Sequence, residues 1–253
     1  MMEPIFVYFI GIAGSGKSYL TKAFAEWLDS MKAHCMRINL DPGADFVPYP
    51  ADVDVREWFT LESIMQKYNV GPNGAQIIAS DLLVTLIDEI KYEIDLSQPD
   101  FILIDTPGQM EIFTLRESSK LILEALGRDR SAMVFLFDPV VSKTPFGFLS
   151  QLFMANSAVF RLEIPQINVL SKADTLRDEE VEKIIRWSSD LDYLLSFIEA
   201  KTLSVELLRT LKDSGLFRPL VAVSAVKGSG MEDIYDGIQE FFYGGEDIER
   251  ILF

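Results

Sequence analysis

Cysteine and histidine are almost absent: Cys35 and His34 are the sole examples in 253 residues. A lone cysteine excludes an intrachain disulfide and fits a reducing compartment, the cytoplasm. A zinc site built on cysteine and histidine lacks its ligands. Both residues head an apolar-leaning run, His34-Cys-Met-Arg-Ile-Asn-Leu40, in which Cys35 reads as a packing residue. Basic side chains are scarce as well. Against 39 Asp and Glu there are 23 Lys and Arg, a net charge of −16. Binding to nucleic acid rests on basic contacts to phosphate, so no direct nucleic acid partner is expected. The acidity reads as a solvated surface that aids solubility, with a basic protein partner as the second reading. No apolar run approaches the roughly 18–20 residues that span a bilayer, so no membrane partner is expected. The first apolar run has no positively charged stretch before it, unlike a signal peptide. Internal repeats and low-complexity tracts are also missing.

What is present begins with Gly11-Ile-Ala13-Gly14-Ser15-Gly16-Lys17-Ser18. It fits G-x-x-x-x-G-K-[ST], follows the apolar run Ile5–Ile10 and leads into Tyr19–Leu28, which has helical spacing. Strand, loop and helix in that order are the context a P-loop requires. Glycines let the backbone curl so that its N–H groups face a phosphate. The helix that follows points its positive end at the same anion. Ala13 to Tyr19 are therefore candidate phosphate-binding residues. Lys17 reaches the β- and γ-phosphates, and the Ser18 hydroxyl is a candidate Mg²⁺ ligand.

Further short apolar runs follow at Cys35–Leu40, Phe101–Ile104, Ala132–Phe137, Gln166–Leu170 and Leu220–Val223, separated by helical stretches. Continuous apolar runs suit buried parallel strands. Their alternation with helices predicts an α/β fold, a doubly wound and mostly parallel sheet of the P-loop NTPase kind. One domain over 1–253 is expected, with helical insertions at about 45–98 and 178–214. The first insertion reads as a helix around Thr60–Tyr68, a turn at Val70-Gly-Pro-Asn-Gly74 and a long helix around Ala75–Ile94. The second reads as two helices. Pro145 to Phe160 reads as a helix whose aromatics pack in the core, with an interface as the second reading, and the partly apolar tail from Glu240 either docks or frays.

Three more elements narrow the chemistry. Asp105-Thr-Pro-Gly108-Gln109 ends an apolar run. Asp105 is a candidate for the metal shell, the Gly108 N–H for a γ-phosphate contact, and Gln109 for orienting the attacking water. Ser171-Lys172-Ala-Asp174 resembles the guanine-reading Asn-Lys-x-Asp motif, with Ser in place of Asn. An Asp there accepts from guanine N1–H and N2–H₂, a donor pair that adenine lacks. Replacing Asn by Ser removes an amide that braces the loop. Ser224-Ala225-Val-Lys-Gly resembles the loop whose backbone N–H faces guanine O6. All of these elements follow apolar runs, and in open α/β sheets the carboxyl ends of strands hold the ligand.

The MinD and arsenite-ATPase type of P-loop needs lysine at its second position, where this chain has Ile12. A Ras-like switch threonine is not evident. The second run instead ends in Asn39-Leu-Asp41-Pro42, which turns Asp41 toward the phosphates or a metal-bound water. Together with Gly71-Pro72-Asn73 between two helices, these motifs resemble the GPN-loop GTPases over nearly the whole length, in their archaeal, single-domain form. The resemblance implies a homodimer in which Gly71, Pro72 and Asn73 of one protomer enter the other's site and Asn73 offers its amide to the γ-phosphate. It also implies use as a nucleotide-gated assembly factor, since eukaryotic relatives are linked to RNA polymerase assembly. The mechanism expected is Mg²⁺-dependent hydrolysis of GTP to GDP. Lys17 and Asn73 stabilise the transition state, and Gln109 and Asp41 orient the water. Asp41 and a phosphate oxygen are equal candidates for its proton. Arg56 is the nearest candidate arginine finger and ranks below Asn73. A nucleotide or polynucleotide kinase on the same P-loop is the alternative.

Overall fold

A computed structural model describes residues 3–198 and 205–244. Among them, the parallel strands β1 (Ile5–Gly11), β2 (Cys35–Asn39), β3 (Val53–Asp54), β4 (Phe101–Asp105), β5 (Ser131–Phe137), β6 (Gln166–Leu170) and β7 (Leu220–Ala222) form one sheet. Their spatial order is β3-β2-β4-β1-β5-β6-β7. This is the expected α/β sheet. The short β3 was not foreseen, since two residues carry no period. β1 lies between β4 and β5, with Phe9 level with Asp105 and Val134.

The alternation of side chains along β1 divides the core into two layers. Ile5, Val7 and Phe9 face α1 (Lys17–Ser30), which contributes Leu20, Phe24 and Leu28. Phe6, Tyr8 and Ile10 face the opposite layer. That layer takes buried side chains from α3 (Pro72–Leu83), α4 (Ile87–Ser97), α5 (Met110–Leu115), α6 (Glu117–Leu126), α8 (Pro145–Leu162), α9 (Asp178–Ser189), α10 (Leu191–Leu195) and α11 (Val205–Asp213), while α2 (Leu61–Tyr68) packs Ile64 on Ala75 and Ala79 of α3 and α7 (Pro139–Ser142) precedes α8. A last helix, α12 (Met231–Tyr243), joins α1 through Ile234, Tyr235 and Ile238. Cys35 is buried in the α1 layer.

Several expectations need correction. The long helix over 75–94 is broken: α3 ends at Leu83, a 3₁₀ turn spans Val84–Leu86, and α4 begins at Ile87. Thr85 Oγ1 donates to the Leu82 carbonyl at 2.7 Å, a local bond that competes with the helical ladder. The Gly-Pro-Asn turn is the start of α3, with Gly71 as N-cap and Pro72 in the first turn. Proline's fixed φ suits that position, and its missing N–H costs nothing there. The second insertion holds three helices among the described residues, not two. Asp190 ends α9 and caps α10 by accepting from the Tyr193 N–H at 3.0 Å. The α8 aromatics are divided: Phe148 is buried, but Phe146, Phe153 and Phe160 are exposed. The tail from 245 onward lies outside the described residues.

Candidate active site

Every motif loop leaves the carboxyl end of a parallel strand, so all of them gather on one edge of the sheet. At the centre, the loop after β1 turns through Gly14 at φ 75° and Gly16 at φ 99°. Side chains other than glycine's resist these values, so the two positions let the backbone amides converge. Ser15 is fully buried and its hydroxyl has no hydrogen-bond partner. Lys17 lies back along the loop, donating to the Gly11 carbonyl at 3.1 Å and the Ile12 carbonyl at 3.3 Å. Burial pulls its ammonium below the usual lysine range, opposed by Asp105, Asp41 and Glu111. A buried cation, an orphaned hydroxyl and the amino end of α1 together make a site for an anion.

Asp105 ends β4 beside this loop and is 2% exposed. Burial pushes its carboxyl up to about 6, with the Ser18 hydroxyl, Lys17 and Tyr49 opposing and Asp41 adding to the rise. Tyr49 donates to one Asp105 oxygen, Oδ2, at 3.1 Å. The other, Oδ1, is buried with no hydrogen-bond partner. An orphaned carboxylate oxygen next to a serine hydroxyl and a phosphate cradle fits a divalent cation with oxygen ligands. Among the described residues, no three His, Cys, Asp or Glu side chains cluster to hold a metal by themselves. The fit is therefore to an ion shared with phosphate. Tyr49 had no assigned role; its signal was an aromatic between two prolines, Pro48 and Pro50.

Asp41 joins the two loops flanking the phosphate cradle. Its Oδ1 accepts from the Gly43 N–H at 2.9 Å and its Oδ2 from the Gly108 N–H at 2.9 Å. Buried Asn39 orients it, accepting from the Asp41 N–H at 3.0 Å and donating to the Asp41 carbonyl at 3.3 Å. Asn39 also donates to Asp54 at 3.0 Å. Asp54 in turn takes Arg56, whose Nε lies 2.9 Å away, and Arg56 Nη1 donates to the Ala44 carbonyl at 2.9 Å. Arg56 thus braces its own loop. A guanidinium so engaged is not held out as a finger.

Gln109 is exposed at the head of α5 and borders a cavity with Ala13, Asp41, Gly108 and the α3 residue Gln76. Gly71, Pro72 and Asn73 are exposed and do not line that cavity.

On the other flank, a second cavity is bordered by Ser15, Gly16, Tyr19, Lys172, Asp174 and Ala225. Lys172 donates from Nζ to the Gly14 carbonyl, so its stem runs along the P-loop. Ser224 Oγ donates to Asp174 Oδ1 at 2.5 Å and accepts from the Lys227 N–H at 3.1 Å. The hydroxyl fixes the carboxylate's direction. Ser171 is not the loss expected of it, because its hydroxyl donates to the Phe137 carbonyl at 3.0 Å and ties the loop to β5.

This arrangement has relatives. A family model described as a conserved hypothetical ATP binding protein matches residues 9–244. A GPN-loop GTPase of Arabidopsis thaliana is 31% identical over 239 residues, covering 91% of this chain and 62% of the relative. GPN-loop GTPase 1 of Dictyostelium discoideum is 30% identical, covering 98% and 65%. The chain thus spans just under two thirds of the length of these two relatives. A GPN-loop GTPase of Pyrococcus abyssi is 38% identical over 191 residues, covering 74% and 75%. The crystal structure of a GTPase in apo form from Pyrococcus abyssi superposes with a TM-score of 0.82 at 32% identity, covering 96% of this chain and 99% of that one. With the sheet order, the P-loop and the Gly-Pro-Asn segment already in place, a match of this length and level leaves one conclusion: the chain belongs to the GPN-loop GTPase family.

Proposed function

We propose that residues 1–253 work as one GTPase domain that cleaves GTP to GDP and phosphate with Mg²⁺, as a homodimer in which each protomer's Asn73 completes the other's site. The guanine assignment is carried by Asp174, aimed by Ser224 in a cavity that the P-loop also borders. The matching family's description speaks of ATP, and the side chains speak against it. Adenine offers no N1–H and N2–H₂ pair, so it would leave an oriented carboxylate unanswered.

In this reading the amides of Gly14 to Ser18 cradle the phosphates and Lys17 turns outward to the β- and γ-oxygens. Ser18 and Asp105 would hold Mg²⁺, which would supply positive charge to neutralise those oxygens. The Gly108 N–H exchanges Asp41 for a γ-phosphate oxygen. Asp41 and Gln109 then orient the attacking water, whose proton goes to Asp41 or to a phosphate oxygen. Arg56 is committed to Asp54, which leaves the stabilising donor to come from the partner's Asn73. The exposure of Gly71 to Asn73 at the start of α3 supports that role. The cycle gates assembly of a protein complex, with RNA polymerase as the client that the family resemblance suggests. The cytoplasm fits a chain with one cysteine.

The test is to incubate the chain with Mg²⁺ and GTP or ATP, with and without nucleotide or polynucleotide acceptors. Free phosphate should appear from GTP and hardly from ATP. Asp174→Asn should shrink the preference for GTP over ATP by at least about tenfold. Phosphate transferred to an acceptor would favour the kinase reading, and an unchanged preference in Asp174→Asn would remove the base assignment.

A further inference from the structure

Tyr49 had no role in the sequence reading. Between Gly43 and Pro50 it is the one buried side chain, while Phe46 in the same loop is exposed. Pro48 and Pro50 bracket it. Each proline narrows the backbone choices of the residue before it, here Val47 and Tyr49. The loop is tied at both ends. Asp41 accepts from the Gly43 and Gly108 N–H groups, and the Asp52 N–H donates to the Arg37 carbonyl at 2.8 Å. From this loop the Tyr49 hydroxyl reaches Asp105, 56 positions on, and donates to Oδ2 at 3.1 Å. Burial and the Asp105 carboxylate push that hydroxyl above the usual tyrosine range, so it keeps its proton and stays a donor.

The Asp105 backbone is fixed without this bond. It ends β4, and its carbonyl accepts from the Leu40 N–H at 2.9 Å. Strand pairing does not set the rotation of the carboxyl group. The Ser18 hydroxyl and Lys17 act on that group from the P-loop, and Tyr49 acts on it from the 43–50 loop. Partners that orient a metal-holding carboxylate matter nearly as much as the ligand itself.

We propose that Tyr49 is a positioning residue for the metal-holding carboxylate: its hydroxyl keeps Asp105 at one rotation beside Ser18, so that Mg²⁺ bound with the nucleotide meets a carboxylate already oriented. The hydroxyl engages one oxygen only. The charge stays on Asp105 and no proton moves. Phenylalanine at 49 keeps the ring and its packing but releases the carboxyl group to turn. The assignment rests on the Mg²⁺-dependent GTPase reading above.

The experiment follows release of a fluorescent GDP analogue from the full chain, wild type and Tyr49→Phe, across a Mg²⁺ titration and in EDTA. Melting temperature is measured beside it. Mg²⁺ should slow release from the wild type. Tyr49→Phe should need about tenfold more Mg²⁺ for half the slowing, the lower end of what losing such a partner costs. In EDTA its affinity for the analogue should stay within about threefold of wild type, because the lost bond serves the metal. A Mg²⁺ midpoint within about twofold of wild type overturns the proposal. So does a variant that fails to fold, or one that loses as much affinity in EDTA as in Mg²⁺, since either result makes Tyr49 a structural residue. A wild type whose release ignores Mg²⁺ overturns the metal reading itself. A wild type that responds, beside a matching Tyr49→Phe, overturns the Tyr49 assignment alone.

Discussion

Cys35 is 5% exposed, and burial pushes its thiol up to about 12. The thiolate is the reactive form, so this sulfur should be inert at neutral pH. Thiol-specific alkylation of the native protein should be slower by well over about tenfold than in denaturant, as read by intact mass. Comparable rates would place Cys35 on the surface. Its packing role was legible from the apolar run it opens. Other residues were legible only in part. Asp41 was expected to face phosphate, but its bonds to Gly43 and Gly108 tie together loops 67 positions apart, and no local pattern carries that. Tyr49 was hidden in an apolar loop, although its hydroxyl reaches Asp105.

Among the elements, α7 and α8 meet most tightly at Gly147. A Cβ there would stand 1.9 Å from the Val141 carbonyl oxygen, while the Gly147 N–H already donates to the α8 cap Thr144 at 3.1 Å. Backbone must move to admit alanine. Gly147→Ala should therefore destabilise the fold by about 1–3 kcal/mol, against the usual gain from placing alanine in a helix. At about 2–4 °C per kcal/mol for a chain of this size, thermal melting resolves the loss. An unchanged or raised melting point would show that the α7–α8 contact is loose. Strands were legible where parallel pairing buries both faces: the runs at β1, β2, β4, β5, β6 and β7 match to within a residue or two. Breaks inside helical sequence were not. The interruption at Thr85 and the cap at Asp190 each turn on a single side-chain bond, which apolar spacing does not register.

For the molecule as a whole, the parallel α/β sheet and the placing of the motif loops at one edge were both readable, because each motif follows an apolar run; the strand order β3-β2-β4-β1-β5-β6-β7 was not. A homodimer is expected from resemblance alone, and it is where the largest test lies. Asn73 is exposed, so Asn73→Ala should leave folding and GDP affinity within about twofold of wild type. Single-turnover GTP hydrolysis should still fall by about 100-fold or more, the scale seen when one transition-state donor is removed. Sedimentation should give a dimer with a GTP mimic. Mixing Asn73→Ala with a Lys17→Ala chain, each inactive alone, should restore about a quarter of the activity if sites are shared between copies and mix statistically. A strictly monomeric protein, or no restoration on mixing, would remove the trans role.

The bond from the Gly108 N–H to Asp41 has a consequence for how such a dimer tells its two nucleotides apart. The amide proposed to sense the third phosphate already has an anionic tenant. In the function proposed above, arrival of the triphosphate would be a swap between two negative ligands at a single donor, to which this donor contributes only their difference in hydrogen-bond energy. This donor alone therefore gives the triphosphate little advantage, and the switch proposed above would draw its bias from the other phosphate contacts.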